Sequence, residues 1–250
     1  LYYMPQREEN HYIIDLKEIP EEVAQTAKFM IVSYPNNPTA VLAPDSFYEE
    51  LIAFAKKYDI IVLHDNAYSE LVFDGRTGGS FLRFPGAREV GVEFNSLSKT
   101  YGLAGARVGF CVGNKEVVSH LKTLKSNMDY GMFLPLQKAA IAAITGDQAC
   151  VETTRAAYEK RRDVLCNGLN AIGWKIPKPE ATMFVWAQIP ASFTSSEAFT
   201  VELVKRSGVL VTPGSAFGPA GEGHVRMALV QDEPELQQGI AAIDPSGILQ

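Results

Sequence analysis

Cysteine is scarce in this chain, and its few cysteines are far apart. Cys111, Cys150 and Cys166 form no C-x-x-C pair, and the four histidines lack the spacing of metal ligands. This pattern argues against a disulfide framework and against a zinc site. It favours a reducing, cytoplasmic compartment, and we expect no metal.

The chain also lacks long apolar runs and blocks of basic residues. No run reaches the roughly 18 apolar residues that a membrane-spanning helix needs. Arg7, Glu8 and Glu9 stand where a signal peptide would be apolar. The net charge is -6, whereas nucleic-acid binding depends on cations that neutralise phosphates. We therefore expect no membrane span and no nucleic-acid partner, while a small anionic ligand stays compatible with a few local cations.

The most informative stretch runs from Ser96 to Arg107 and reads SLSKTYGLAGAR. It follows an apolar run at residues 91–95, so Lys99 comes just after a predicted strand. Partial desolvation and a nearby cation favour the neutral amine of a lysine, which can then form a Schiff base. Ser96, Ser98 and Arg107 can hold a phosphate through hydroxyls and a guanidinium fork. The stretch suits a phosphorylated aldehyde, although a surface lysine in a polar turn is an open alternative.

Apolar runs alternate with helical patterns in the first 150 residues. Residues 29–34 and 60–63 are typical of strands covered on both faces. Between them, Ser46 and Glu49 form a capping box that opens a helix. Two strands joined by a helix make a right-handed βαβ unit in a parallel sheet.

Polar side chains follow the predicted strands where each strand ends. Asn37, Asp65 and residues 96–99 each come after an apolar run. Parallel strands place their carboxyl ends at one edge of the sheet, and ligands bind beyond those ends. We therefore expect these three segments to converge on one crevice.

The pattern changes in the second half of the chain. The Ala-rich residues 136–145 predict a well-buried helix, and residues 147–173 trace one stripe of a long helix that links domains. Later strands and helices mix without βαβ alternation. We expect a large α/β domain over residues 1–149 and a small α+β domain over residues 150–250.

Five ordered motifs carry a family resemblance. They are NNPT at 36–39, DNAY at 65–68, SLSK at 96–99, GAR at 105–107 and HVRMAL at 224–229. In order and spacing they resemble the class I/II aminotransferases of PLP fold type I. Residues 124–141 look most like the LL-diaminopimelate aminotransferase branch. The resemblance implies a mostly parallel large domain, pyridoxal 5′-phosphate (PLP) as cofactor, a role in amino-acid metabolism and a cytoplasmic homodimer.

The resemblance also assigns roles around the cofactor ring. Lys99 matches the lysine that forms the Schiff base and then carries a proton to and from the substrate. Asp65 matches the carboxylate that keeps the pyridine nitrogen protonated. Asn37 and Tyr68 match the pair that hydrogen-bonds the phenolic oxygen.

The remaining roles concern phosphate and substrate. Ser96, Ser98 and Arg107 fall on the family's phosphate-binding positions. Arg226 matches the small-domain arginine that grips the substrate α-carboxylate through two parallel hydrogen bonds. The segment from Asn127 to Phe133 receives no role.

Each of these residues also has a structural interpretation. Asp65 suits a helix N-cap, Asn37 a turn, and Tyr68 simple packing. Arg226 suits a buried ion pair. Taken singly these interpretations are the commoner outcome, but the ordered set favours the site.

The chain departs from the resemblance at two places. Ala40 stands where many members have glycine after NPT, which matters if that residue needs a positive φ. The chain also starts well inside the usual family sequence. We therefore expect the large domain to be incomplete at its N-terminus, without the family's Gly-rich phosphate loop and the aromatic residue that stacks on the ring.

Three functions stay open at this point. The first is transamination between an amino acid and a 2-oxo acid, with LL-diaminopimelate or the glutamate/2-oxoglutarate pair as substrates by resemblance. The second is a PLP-dependent C–S β-lyase, which would release pyruvate and ammonia without an added 2-oxo acid. The third is an inactive fragment or binding module that keeps the motifs without turnover.

Overall fold

The computed structural model describes residues 1–249. Its helices are α1 (Glu21–Thr26), α2 (Asp45–Tyr58), α3 (Ala87–Val90), α4 (Leu97–Thr100), α5 (Lys115–Met128), α6 (Leu134–Thr145), α7 (Ala149–Ala171), α8 (Ser196–Ser207) and α9 (Glu233–Ile243). Its strands are β1 (Phe29–Ser33), β2 (Ile61–Asp65), β3 (Gly91–Ser96), β4 (Gly109–Gly113), β5 (Phe184–Gln188), β6 (Thr212–Pro213) and β7 (His224–Ala228). None of the helices in residues 1–249 combines the length and the hydrophobicity that a membrane-spanning segment requires.

Two compact units divide the chain. The first comprises Leu1–Asn36 and Val41–Thr154, and the second comprises Asn37–Ala40 and the chain from Arg155 onward. The division along the chain between Thr154 and Arg155 falls inside α7.

The first unit contains a mixed sheet in the order β1-β2-β3-β4. Its first three strands are parallel, and β4 runs antiparallel to β3. Ser33 pairs with Asp65, and Asp65 pairs with Phe94. The carboxyl ends of the three parallel strands therefore meet at one edge, as the βαβ pattern predicts.

Only one face of this sheet is covered by the core of the first unit. Met30 and Val32 of β1 pack with Leu51 of α2 in that core. On the opposite face Phe29 is 63% exposed and Ile31 is 67% exposed. The prediction that β1 is covered on both faces is therefore wrong, because an apolar run shows which residues can be buried but not which elements arrive to bury them.

Two sequence predictions about helices also need correction. The helix α2 begins at Asp45 after an extended Pro44 and has no side-chain cap, so Ser46 lies inside the helix and forms no capping box. The helix α6 contains no buried residue, although its composition predicts a buried helix. In α6 Ile141 is 60% exposed, because apolar content alone does not supply a packing partner.

The second unit contains a small antiparallel sheet in the order β5-β7-β6. Its core joins Leu165 and Leu169 of α7, Val185 of β5, Leu203 of α8 and Leu236 of α9. The mixture of strands and helices after the long helix agrees with the sequence prediction. The predicted combination of a mostly parallel α/β region and a smaller α+β region is confirmed.

Candidate functional site

A cavity of about 460 Å³ lies at the carboxyl edge of the first unit's sheet. This volume is within the usual range for sites that bind small molecules. Its walls combine apolar and polar side chains, contributed by Ile31, Leu63, Asp65, Ala67, Phe94, Asn95 and Ser96. Asp65 ends β2 and Ser96 ends β3, so the strand topology brings these two predicted site residues together.

A tight turn presents the Asp65 side chain. Its Oδ1 accepts a hydrogen bond from Ala67 N at 3.2 Å, and Asn66 N donates to Phe94 O at 2.8 Å. The residues that follow form a turn that includes the half-buried Tyr68. The interpretation of Asp65 as a helix N-cap is therefore wrong.

Lys99 lies in the short helix α4 directly after the cavity residue Ser96. Ser96 is the N-cap of α4, and its Oγ accepts a hydrogen bond from Ser98 N at 3.1 Å. Leu97 and Thr100 of α4 are buried, while Ser98 and Lys99 are half-buried. The buried pair anchors the helix and leaves Ser98 and Lys99 on its more accessible side.

Arg107 precedes β4 and is exposed. Its backbone has a left-handed φ of 54°, and its Nη1 donates to Ala104 O at 3.1 Å. Leu97 N donates to Val108 O at 3.1 Å. The residue after Ser96 is thus hydrogen-bonded to the residue after Arg107, which brings two of the predicted phosphate-binding segments together.

Arg226 lies on β7 in the second unit and is held from several directions. Its Nη1 donates to Asn37 Oδ1 at 2.8 Å, and its Nη2 donates to Thr212 Oγ1 at 3.3 Å. Its guanidinium carbon lies 4.3 Å from the centroid of the Phe184 ring and 4.9 Å from that of Phe217. Cation–π contacts of this kind fix the plane of a guanidinium group. Its N–H groups then point outward within that plane, where they can donate hydrogen bonds.

An aromatic stack stands beside this arginine. Trp186 and His224 are stacked with a centroid distance of 5.1 Å, and Phe217 meets Trp186 edge-on at 5.7 Å. Trp186 pairs with Arg226 across the two strands. Phe217 contacts both Trp186 and Arg226, so the aromatic stack and the arginine form one packed group.

A buried polar network that was not predicted from the sequence lies next to Asp65. Glu93 lies in β3 and is 3% exposed, and His64 lies in β2 and is fully buried. Burial alone would raise the pKa of Glu93, but polar contacts with His64, Asn95, Asn66 and Ser80 outweigh it and lower that pKa to about 2. The sequence contains a signal for this network, because Glu93 is an acidic residue inside the apolar run at residues 91–95. Such a residue needs polar partners if the run is buried.

Comparisons with known proteins identify the family of this chain. The family model for aminotransferase class I and II matches residues 1–243. The chain belongs to the class I and II aminotransferases. This confirms the family predicted from the five motifs, and the predicted cofactor follows it because these aminotransferases are PLP-dependent.

Curated relatives of this aminotransferase chain include LL-diaminopimelate aminotransferases. The enzyme from Halothermothrix orenii is 44% identical over 245 residues, which cover 98% of this chain and 63% of that protein. The enzyme from Syntrophobacter fumaroxidans is 46% identical over 239 residues, which cover 96% of this chain and 61% of that protein. The predicted branch is thus confirmed as a likeness, and the chain spans less than two thirds of the length of these relatives.

Solved structures also match. The substrate-bound BacF structure from Bacillus subtilis has a TM-score of 0.95 and 38% identity, covering 98% of this chain and 63% of that chain. A probable N-succinyldiaminopimelate aminotransferase from Thermus thermophilus has a TM-score of 0.90 and 34% identity, covering 98% of this chain and 65% of that chain. These likenesses confirm the fold.

The residues of the cavity edge fit PLP chemically. The cofactor has an aldehyde, a basic ring nitrogen and a phosphate, which call for an amine, a carboxylate and a set of hydroxyl or cationic donors. Asp65 and Ser96 line one cavity, and Lys99 follows within one helical turn of Ser96. The chain therefore offers each kind of group at a single sheet edge.

Proposed function

We propose that this chain carries the catalytic part of a PLP-dependent aminotransferase that exchanges amino and oxo groups between an amino acid and a 2-oxo acid. The observation that carries the proposal is the cavity lined by both Asp65 and Ser96, with Lys99 in the adjoining helix. LL-diaminopimelate, glutamate and 2-oxoglutarate are the substrates to test first, because the curated relatives are LL-diaminopimelate aminotransferases.

PLP, when bound, supplies an electron sink for the reacting α-carbon. In this proposal the Asp65 carboxylate holds a proton at the ring nitrogen, and its place at the end of β2 supports that role. Lys99 supplies the amine that binds the aldehyde and then moves the α-proton. The hydroxyls of Ser96 and Ser98 and the guanidinium of Arg107 hold the phosphate, and Tyr68 donates to the phenolic oxygen.

The second unit contributes Arg226 and Asn37 to the proposal. Arg226 binds the substrate α-carboxylate, since its guanidinium plane is fixed by rings and hydrogen bonds. Arg226 is a donor only, so it must face the oxygen of the Asn37 amide. The Asn37 Nδ2 is then directed away from Arg226, which supports its role as a donor to the phenolic oxygen.

We also propose that the protein is a cytoplasmic homodimer. All three cysteines are unpaired, which suits a reducing compartment. The helices α5 and α6 expose Met128, Leu134 and Ile141, and apolar surface of this kind is typical of protein interfaces. Light scattering after size-exclusion chromatography would test the dimer, and a monomer at micromolar concentration would contradict it.

The function is tested with PLP, borohydride and amino acids. The chain should form a borohydride-reducible PLP adduct that mass spectrometry maps to Lys99. L-glutamate or LL-diaminopimelate should then convert the bound cofactor to its amine form, and a 2-oxo acid should reverse the change. Release of pyruvate from a cysteine-like substrate without an added 2-oxo acid would instead identify a β-lyase. Failure to form the adduct would contradict the proposal and favour an inactive fragment.

A further inference from the structure

A buried carboxylate connects the two strand ends that form the cavity. Glu93 Oε2 accepts hydrogen bonds from Ser80 Oγ at 2.9 Å and from Phe81 N at 2.8 Å, and Oε1 accepts one from Asn95 Nδ2 at 3.0 Å. His64 Nδ1 lies 3.5 Å from Oε2. An acidic side chain this deeply buried is kept only where such partners compensate its charge.

The loop that Glu93 binds is also attached to the Asp65 turn. Asn66, the residue after Asp65, is buried, and its Nδ2 donates to Gly79 O at 2.8 Å. Gly78 approaches the same turn so closely that a Cβ there would lie 1.6 Å from Ser69 O. The loop at residues 78–81 therefore contacts the turn on one side and receives the Glu93 carboxylate on the other.

Glu93 also acts on the other end of the cavity. Asn95, which donates to Glu93, lines the cavity beside Ser96. His64 pairs with Glu93 across β2 and β3, and the next pair in register is Asp65 with Phe94. Side chains alternate along a strand, so His64 and Glu93 point into the core while Asp65 points to the cavity side.

We propose that Glu93 is a positioning residue of this site, whose buried carboxylate fixes the Asp65 turn relative to the end of β3 that carries Ser96. Through the loop at residues 78–81 it holds Asn66, and through Asn95 it holds the cavity wall. Its importance for the cofactor rests on the proposed function, because Asp65 and Ser96 are there the groups for the ring nitrogen and the phosphate. Ring and phosphate are bonded in one molecule, so their protein partners need a fixed separation.

The test uses Glu93→Gln, which keeps the shape of the side chain but presents an NH₂ group to a set of donors. Ser80→Ala is the second variant, since it removes one donor to Glu93 and leaves the carboxylate in place. Glu89→Gln is the matched control, because Glu89 is an exposed acid with Lys56 as its ion-pair partner. The first readout needs no cofactor, and is amide hydrogen exchange at Asn66 and Ala67.

We expect exchange at these two amides to rise on the order of tenfold in Glu93→Gln and Ser80→Ala while amides of β5 and β7 are unchanged. The second readout is PLP affinity by absorbance titration, which should fall on the order of tenfold in the same two variants. The control Glu89→Gln should match the parent chain in both amide exchange and PLP affinity. A purely structural role would instead raise exchange throughout the first unit.

The outcomes separate this inference from the proposed function. Faster exchange confined to Phe81 and Leu82, with Asn66 and Ala67 unchanged, would overturn it. If Glu93→Gln does not fold, the exchange pattern of Ser80→Ala decides. If the parent chain forms no PLP adduct at Lys99 but the exchange pattern appears, the proposed function fails while the positioning of the Asp65 turn by Glu93 stands.

Discussion

Arg226 Nη1 donates a hydrogen bond of 2.8 Å to Asn37 Oδ1, which joins two residues 189 positions apart in the chain. A guanidinium has no acceptor, so this contact sets the orientation of the Asn37 amide. The arginine proposed to bind substrate and the asparagine predicted to bind cofactor are therefore coupled in one hydrogen-bonded pair. A change at Arg226 should consequently alter how Asn37 is presented.

Replacing Arg226 or its ring neighbour should weaken carboxylate binding to different extents. In Arg226→Lys a point charge replaces the planar fork, and we expect the affinity for 2-oxoglutarate to fall by about 10- to 100-fold. In Phe217→Leu the fork stays but one ring contact is lost, and the affinity should fall by about 3- to 10-fold. Calorimetric titration of the PLP-loaded chain measures both effects.

The control for this pair is Arg206→Lys on α8, where the arginine is exposed and pairs with Glu202. The affinity of Arg206→Lys for 2-oxoglutarate should equal that of the parent chain. An unchanged affinity in Arg226→Lys would contradict the assignment of Arg226 as the carboxylate-binding residue.

Replacing Lys99 by alanine should abolish the covalent PLP adduct, because no other amine in the motif can reach the same aldehyde position. Phosphate-anchored binding should persist at lower affinity through Ser96 and Arg107. Borohydride reduction followed by peptide mass spectrometry measures the adduct directly. Lys122→Ala, a change at an exposed lysine of α5, serves as the control and should label like the parent chain. A labelled Lys99→Ala chain would refute the assignment.

Ala40 occupies a left-handed conformation, with a φ of 60°. The family resemblance raised the question of a positive φ at this position. An L-residue in this region costs about 1–2 kcal/mol, which glycine avoids. Ala43 lies in the same loop without a positive φ. Ala40→Gly should therefore have an unfolding free energy ~1–2 kcal/mol above that of Ala43→Gly, measured by urea denaturation. Equal values would contradict this prediction.

The stability of the first unit should depend on pH through Glu93. Its pKa is lowered from 4.5 to about 2 in the folded protein, so its carboxylate stabilises the fold above the unfolded pKa. This contribution, ~3 kcal/mol for such a shift, is lost as the pH falls from about 4.5 through about 2. Urea denaturation of the parent chain and of Glu93→Gln at several pH values measures it.

In Glu93→Gln the unfolding free energy should be lower than in the parent chain near pH 7, and the deficit should shrink as the pH approaches about 2. Glu89→Gln should follow the parent curve. A deficit that stays constant with pH would mean that packing at Glu93, rather than its charge, stabilises the fold.

Much of this molecule follows from local sequence. The apolar runs before Asp65 and Ser96 predict parallel strands, and their shared edge predicts that the two side chains meet at one cavity. The five motifs identify the family, because their order and spacing over residues 36–229 are more specific than any single motif. Helix α9 begins directly after Asp232, whose side chain caps it by accepting a hydrogen bond from Glu235 N, and such a capping signal is local.

Other features were decided by tertiary structure alone. The apolar run at residues 29–34 does not predict that one face of β1 is exposed. Whether a strand face is covered depends on which helices pack against it. Two hydrogen-bond donors to Glu93, Ser80 and Phe81, come from a loop more than ten residues away, and Arg226 meets Asn37 across most of the chain. The sequence by itself determined which chemical groups this protein has and at which strand ends they stand. Folding decided how they are oriented, because hydrogen bonds between distant residues form only once the chain is packed.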